Sequence, residues 1–203
     1  MTQPVFYFGA MSPYSWLAAE RIDEVLPGAR WQAVLTGVIH QAHGRVSWGR
    51  TDEREQGLAD CEARAAARGL GRLRWPEDWP SHDLMVTRAM THAQAEGVLK
   101  DYSLAVMRLS FLEGRSLSEP ETVLDAATRV GLDPHALEHG IARQELKDKL
   151  RAANDEALAL GVFGVPTVVV DGELFWGDDR LEDAAGAAGT AAAPRAAARP
   201  DAG

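Results

Sequence analysis

The sequence predicts an α/β domain whose sheet is built from both ends of the chain, with an all-helical block inserted between them. Three observations carry this. The chain opens β-α-β, its middle keeps helical spacing throughout, and near the C-terminal end the hydrophobic period switches to that of a β-hairpin. Neither strand pair alone suffices for a stable sheet, so the two pairs must share one. The expected division is 1–45 with 150–187 for the α/β part, 46–149 for the helical insertion, and 188–203 for a disordered Ala/Gly/Pro tail.

Residues 4–8 (PVFYF) read as the first strand. Ser12-Pro13 then gives a helix start, with serine as N-cap and proline at the first helical position. Trp16, Leu17, Ile22, Val25 and Leu26 supply one apolar face, and Pro27-Gly28 ends the helix. RWQAVLTG, 30–37, reads as the second strand. Helical patterns follow over 52–69, 82–97 and 98–113, interrupted by the loop RWPEDWPSHD with Trp75 and Trp79. Ser118-Glu119-Pro120-Glu121 has the spacing of a capping box for a helix to about Val130. Asp133-Pro134 opens the next helix. A longer one, broadly 144–160, ends at Gly161, a residue suited to the left-handed C-terminal position. VPTVVVDGELFWG is two strands joined by Asp171-Gly172, a strong tight-hairpin signal. Asp178 or Asp179 then serves as N-cap of a last short helix.

Bulk properties remove several function classes. A formal charge of −9 argues against binding nucleic-acid phosphates. No apolar run approaches membrane-spanning length, and the first residues lack the charge and apolar core of a signal peptide, so a cytoplasmic protein without a membrane partner is expected. The single cysteine, Cys61, excludes an intrachain disulfide and a C-x-x-C redox pair. It shares a helical face with Leu58 and Ala65, which predicts a small buried hydrophobe. No zinc-type Cys/His spacing occurs, so no metal is expected.

The chemistry concentrates at S-x-x-S, Ser12 and Ser15, on the strand-to-helix turn of FYFGAMSPYSWLAAERI (6–22). A helix start offers free N–H groups and partial positive charge, an environment that stabilises a thiolate. Here the chain brings no sulfur of its own. Together with GVFGVPTVVVDGELFWGDDRL (161–181), and more weakly the loop at 71–84, this stretch resembles the 2-hydroxychromene-2-carboxylate isomerases and the kappa-class glutathione transferases. Those families have a thioredoxin-like fold with a DsbA-like helical insertion, and the resemblance extends in order over most of residues 4–185.

The resemblance implies a homodimer that binds reduced glutathione, with Ser12 donating a hydrogen bond to its sulfur; the Ala-, Arg- and Gly-rich composition and the Asp178-Asp179 pair leave another small thiol as the alternative. It implies a cis peptide before Pro166, with the Val165 backbone pairing to the extended tripeptide. It implies that Trp176-Gly177-Asp178-Asp179 receives the γ-glutamyl end: an aspartate for the ammonium, helix-start amides for the carboxylate. Relatives often carry Asn-Asp there, so Asp178 puts a second acceptor where an amide donor would stand. The region after the second strand (His40, Gln41, His43, Arg50) and the loop with Trp79 and His82 correspond to the substrate side. The lysine or asparagine often found there is absent. Of these residues Gln41, Arg50, Trp79 and His82 are the substrate-binding candidates, suited to a small aromatic anion.

The activity so implied is isomerisation of an aromatic-degradation intermediate: thiolate addition to a conjugated double bond, rotation, then elimination. Two alternatives share the residues: a kappa-like transferase, and a redox-inactive module binding an extended peptide beside Pro166. Dithiol oxidation is excluded with serines at 12 and 15.

Overall fold

The computed structural model describes residues 2–189. Among these, four strands form one mixed sheet. β1 (Val5–Phe8) leads through α1 (Pro13–Ala19) and α2 (Ile22–Val25) to β2 (Arg30–Ala33), parallel to β1. α3 (Thr36–Ala42) and a 3-10 turn (Trp48–Arg50) lead into the helical block, α4 (Arg54–Ala67), α5 (Leu84–Ala95), α6 (Leu99–Phe111), α7 (Pro120–Arg129) and α8 (Pro134–Ala142). α9 (Gln144–Ala159) returns the chain to β3 (Thr167–Val170), β4 (Glu173–Trp176) and α10 (Leu181–Ala187). The strand order is β2-β1-β3-β4, with β3 antiparallel to both neighbours. Strands from the two chain ends therefore lie side by side at the centre, as expected of a sheet neither pair forms alone.

The alternation in VFYF explains which layer each residue joins. Phe6 and Phe8 stack 5.1 Å apart and meet Trp31 edge-on, within the core shared with Trp16 and Phe111. Tyr7, one step between them, faces the opposite layer with Ile39, Ala157, Val162 and Val169. All three β1 aromatics are fully buried, each contributing about 1.5–3 kcal/mol. The burial of every residue in TVVV fits its central place in the sheet.

Several boundaries differ from the sequence reading. The first helix is not continuous to Leu26. The Arg21 N–H bonds back three residues to Ala18, and the re-aimed short α2 brings Ile22 and Leu26 fully into the core. β2 stops at Ala33 rather than running to 37. The amides of Leu35 and Thr36 are taken by side chains, Asn154 Oδ1 at 2.9 Å and Asp83 Oδ2 at 3.2 Å, so the ladder ends and α3 begins. The capping box at Ser118 is not formed. Pro120 occupies the first helical position and makes Glu119 the N-cap, without a side-chain cap bond. Asp133 does cap α8, accepting from the His135 amide. The hairpin turn has Asp171 at φ 47° and Gly172 at φ 88°, the left-handed pair that Asp-Gly favours.

α9 runs unbroken through residue 150, where the sequence reading set a domain boundary. Of the expected tail, Ala188 closes α10 with 6% exposure, and 190–203 lie outside the described residues. No helix among the described residues is long and apolar enough to cross a membrane.

Cys61, on α4, is fully buried, and burial pushes its thiol up to about 12. The thiolate is the reactive form. Native protein is therefore expected to resist iodoacetamide at pH 8 and to alkylate completely once unfolded in urea. Mass spectrometry of the two samples checks this.

Candidate functional site

The S-x-x-S spacing has two different jobs. Ser12 ends the turn after β1 and caps α1, its Oγ accepting from the Ser15 amide at 3.1 Å. Ser15 turns inward, fully buried, and its Oγ accepts from the Gly9 amide at 3.2 Å. Only Ser12 reaches the cleft. Gly9 has no alternative at this turn, because a Cβ there would lie 2.0 Å from Thr36 Oγ1.

Facing Ser12 is Val165-Pro166, whose peptide bond is cis. The Ser12 hydroxyl donates to the Val165 carbonyl at 3.3 Å, while the Val165 N–H has no hydrogen-bond partner among the described residues. The Pro166 carbonyl accepts from Gly177 at 3.0 Å, which ties the 177–179 turn to the same element. Gly177 sits at φ 121°, a conformation open chiefly to glycine.

Between these elements lies a cleft of about 670 Å³. Ser12, Val165, Pro166, Trp176, Gly177, Asp178 and Asp179 all line it. One wall is aromatic. Tyr14 meets Trp48 at 5.9 Å, and Trp48 meets Trp79 at 4.9 Å. Trp79 Nε1 donates to the Met11 carbonyl at 3.0 Å, fastening this wall to the loop that presents Ser12. The Arg54 guanidinium holds the Gly49 and Trp79 carbonyls, each at 2.9 Å. Gly57 leaves room for the Trp48 ring, which a Cβ would meet at 2.4 Å.

Beyond Tyr14 the lining is charged. Asp178 is 1% exposed and does not cap α10, whose N-cap is Arg180. Its carboxylate is divided between Arg64 Nη1 at 2.8 Å and Arg68 Nη2 at 2.6 Å. Arg64 also binds Asp60 at 2.8 Å, and Asp60 accepts from the Tyr14 hydroxyl at 2.8 Å. Burial raises the Tyr14 pKa, so the phenol remains a donor at neutral pH. Asp179 stays open to solvent, 3.8 Å from Arg64.

Of the four substrate-binding candidates only Trp79 lines the cleft, joined there by His40. Gln41 does not, because α3 directs Thr36 and His40, four apart, toward the cleft and leaves 41 a step round the helix in solvent. Arg50 is exposed and instead donates to the Pro80 carbonyl at 3.0 Å. His82 is exposed between buried Ser81 and Asp83. His43 has its Nε2 3.1 Å from the Val162 carbonyl. The sequence reading missed Tyr14, Arg45, Trp48 and Arg64. The i, i+4 series Asp60, Arg64, Arg68 was a visible signal for the last of these.

Burial first, and the Arg45 charge second, lower the half-buried His40 imidazole below its ordinary 6.5. As pH falls through 6.5 the unfolded chain takes up this proton before the native one does, so native stability declines below that pH. Urea unfolding at pH 7.5 and 5.5 should show a smaller decline for His40→Gln than for the unsubstituted chain.

The family model described as DSBA-like thioredoxin domain matches residues 5–188. A 2-hydroxychromene-2-carboxylate isomerase of Pseudomonas putida is 25% identical over 183 residues, 87% of this chain and 89% of that protein. One of Sphingobium xenophagum is 25% identical over 197 residues, 90% and 96% of the two chains. Among solved structures, a 2-hydroxychromene-2-carboxylate isomerase superposes with a TM-score of 0.81 at 25% identity, covering 93% of this chain and 95% of that one.

Proposed function

Since the chain belongs to the DSBA-like thioredoxin-domain family, yet carries serines where a redox pair would stand, we propose that it is a glutathione-dependent isomerase. Its substrate would be an aromatic-degradation intermediate of the 2-hydroxychromene-2-carboxylate type. The observation that carries the reading is the placement of Ser12 Oγ 3.3 Å from the Val165 carbonyl inside one cleft. The end-to-end similarity to isomerases of that name supports it.

The residues present fit a thiol tripeptide. The unpaired Val165 N–H is a donor for an extended backbone. The cleft volume lies within the few-hundred to ~1,000 Å³ usual for small-molecule sites. Asp179 is an open carboxylate for an ammonium group. Asp178 is not, since both its oxygens are committed to arginines.

Bound glutathione would supply a thiolate for reversible addition to the conjugated bond. The Ser12 hydroxyl has one proton, held by a long bond to a neutral carbonyl. A sulfur anion is the stronger acceptor, so the hydroxyl turns to it and stabilises the charge. Tyr14 and Trp48 line the cleft with the nearly buried Trp79 packed behind Trp48, an apolar wall against which an aromatic ring can pack. The same reading makes the protein a cytoplasmic homodimer, which size-exclusion chromatography with light scattering tests for mass.

The function is tested by following substrate absorbance with and without reduced glutathione, beside calorimetry of glutathione binding. Turnover that requires the thiol, with measurable heat, is expected. No heat at millimolar glutathione, or turnover indifferent to it, overturns the proposal. Activation by cysteine alone would assign another small thiol. Binding of an extended peptide without any turnover would assign a peptide-binding module.

A further inference from the structure

Sorting the charges that line the cleft leaves one cation unspent. Arg64 is engaged by Asp60 and Asp178. Arg45 also lines the cleft, and no carboxylate lies within ion-pair distance of it among the described residues. Its guanidinium lies 4.8 Å from the centre of the Trp176 ring and 5.5 Å from that of Phe163. One N–H donates to the Phe163 carbonyl at 3.3 Å. A guanidinium carries five N–H donors, and contact of its carbon with the rings does not consume them.

The platform beneath it is built into the cis-peptide element. Phe163 and Trp176 pack with centroids 5.0 Å apart. Gly164 admits Trp176 so closely that a Cβ would stand 2.6 Å from Trp176 Nε1. His43, two residues before Arg45, is held at the Val162 carbonyl. The segment 162–164 thus anchors both the rings and the loop that carries Arg45, immediately before Val165.

We infer that Arg45, held over Trp176 with Phe163 beside it, is the carboxylate receptor of the cleft. A protein of net charge −9 repels an anion at long range, so a local unpaired guanidinium decides whether one enters. The inference deepens the isomerase reading and rests on it for the identity of the anion. The carboxylate is either the glycine end of glutathione or that of the aromatic substrate.

Arg45→Gln and Arg45→Lys separate the two, and the exposed position makes both variants tolerable to the fold. Calorimetry uses glutathione and its glycine monoethyl ester, and kinetics gives the substrate KM. If the tripeptide is the source, the unsubstituted protein prefers glutathione to the ester by about 10-fold, and Arg45→Gln erases the preference. If the substrate is the source, Arg45→Gln leaves both thiol affinities alone and raises KM by about 10-fold, which Arg45→Lys partly restores. An unchanged ester ratio together with an unchanged KM overturns the inference. A thiol-free arm keeps it distinct from the isomerase reading. Benzoate and neutral benzamide are titrated against tryptophan fluorescence. Benzoate binding lost in Arg45→Gln, in a protein that binds no glutathione, would sustain the receptor and end the thiol assignment. Equal response to benzoate and benzamide would count against the receptor.

Discussion

Ser12→Ala is expected to lower kcat/KM by about 10²-fold, the effect of removing one positioned donor from a charge that develops during reaction. Glutathione affinity should fall with it. Because Ser12 also caps α1, the same substitution costs about 1 kcal/mol of stability, so a second variant is needed to separate the roles. Ser12→Asp keeps a strong cap but sets a carboxylate where a thiolate would lie. It loses the donation to the Val165 carbonyl, so it should be less stable than the parent, and per folded molecule it should be less active than Ser12→Ala. Ser15→Ala makes the reverse comparison. It strands the buried Gly9 amide, costing about 1–3 kcal/mol, yet leaves turnover per folded molecule intact. Steady-state kinetics paired with urea unfolding reads all three. Full turnover by Ser12→Ala would remove Ser12 from the mechanism.

The parts of the site that were legible in the sequence are those fixed by local rules. Ser-Pro before an amphipathic run can only be a helix start, and Asp-Gly between β runs can only be a tight turn; both stand as read. The resemblance brought Ser12 and Pro166 together, and the structure places them on one cleft. What could not be read was set by partners far along the chain. RWQAVLTG has the apolar content of an eight-residue strand. Its last amides are claimed by Asn154 and Asp83, 119 and 47 residues away, and the strand ends early. Ser118 has the spacing of a capping box, but the proline two residues on displaces the helix start by one position. Gln41 looked as suitable as His40 for a substrate contact, because an unrecognised α3 hid which of the two shares a face with Thr36. Arg45 offered no motif at all. Its significance comes from two rings 118 and 131 positions later and from the lack of an acid beside it.

The pair Asp178-Asp179 shows the same limit most sharply, and separates into two expected phenotypes. By sequence either residue serves as N-cap or ammonium ligand. The fold gives Asp178 neither role. It sits 1% exposed between Arg64 and Arg68. These reach it from α4 and so join the helical block to the turn that follows β4. Breaking a buried ion pair from one side costs about 3–5 kcal/mol. Here the arginine side chains are 30% and 23% exposed, so water recovers part of that, and Asp178→Ala should cost about 3 kcal/mol. That corresponds to a fall in Tm of roughly 10 °C for a chain of this size. Asp179 has a side chain 61% exposed, and Asp179→Ala should change stability by less than about 0.5 kcal/mol. Its expected effect is on ligand affinity, about 10-fold for glutathione through the lost carboxylate–ammonium contact. Differential scanning calorimetry and ligand titration on both variants give the two readings. If Asp178→Ala melted with the parent, the arginine clamp would not hold the turn. If Asp179→Ala bound glutathione unchanged, the γ-glutamyl end would have to lie elsewhere in the cleft.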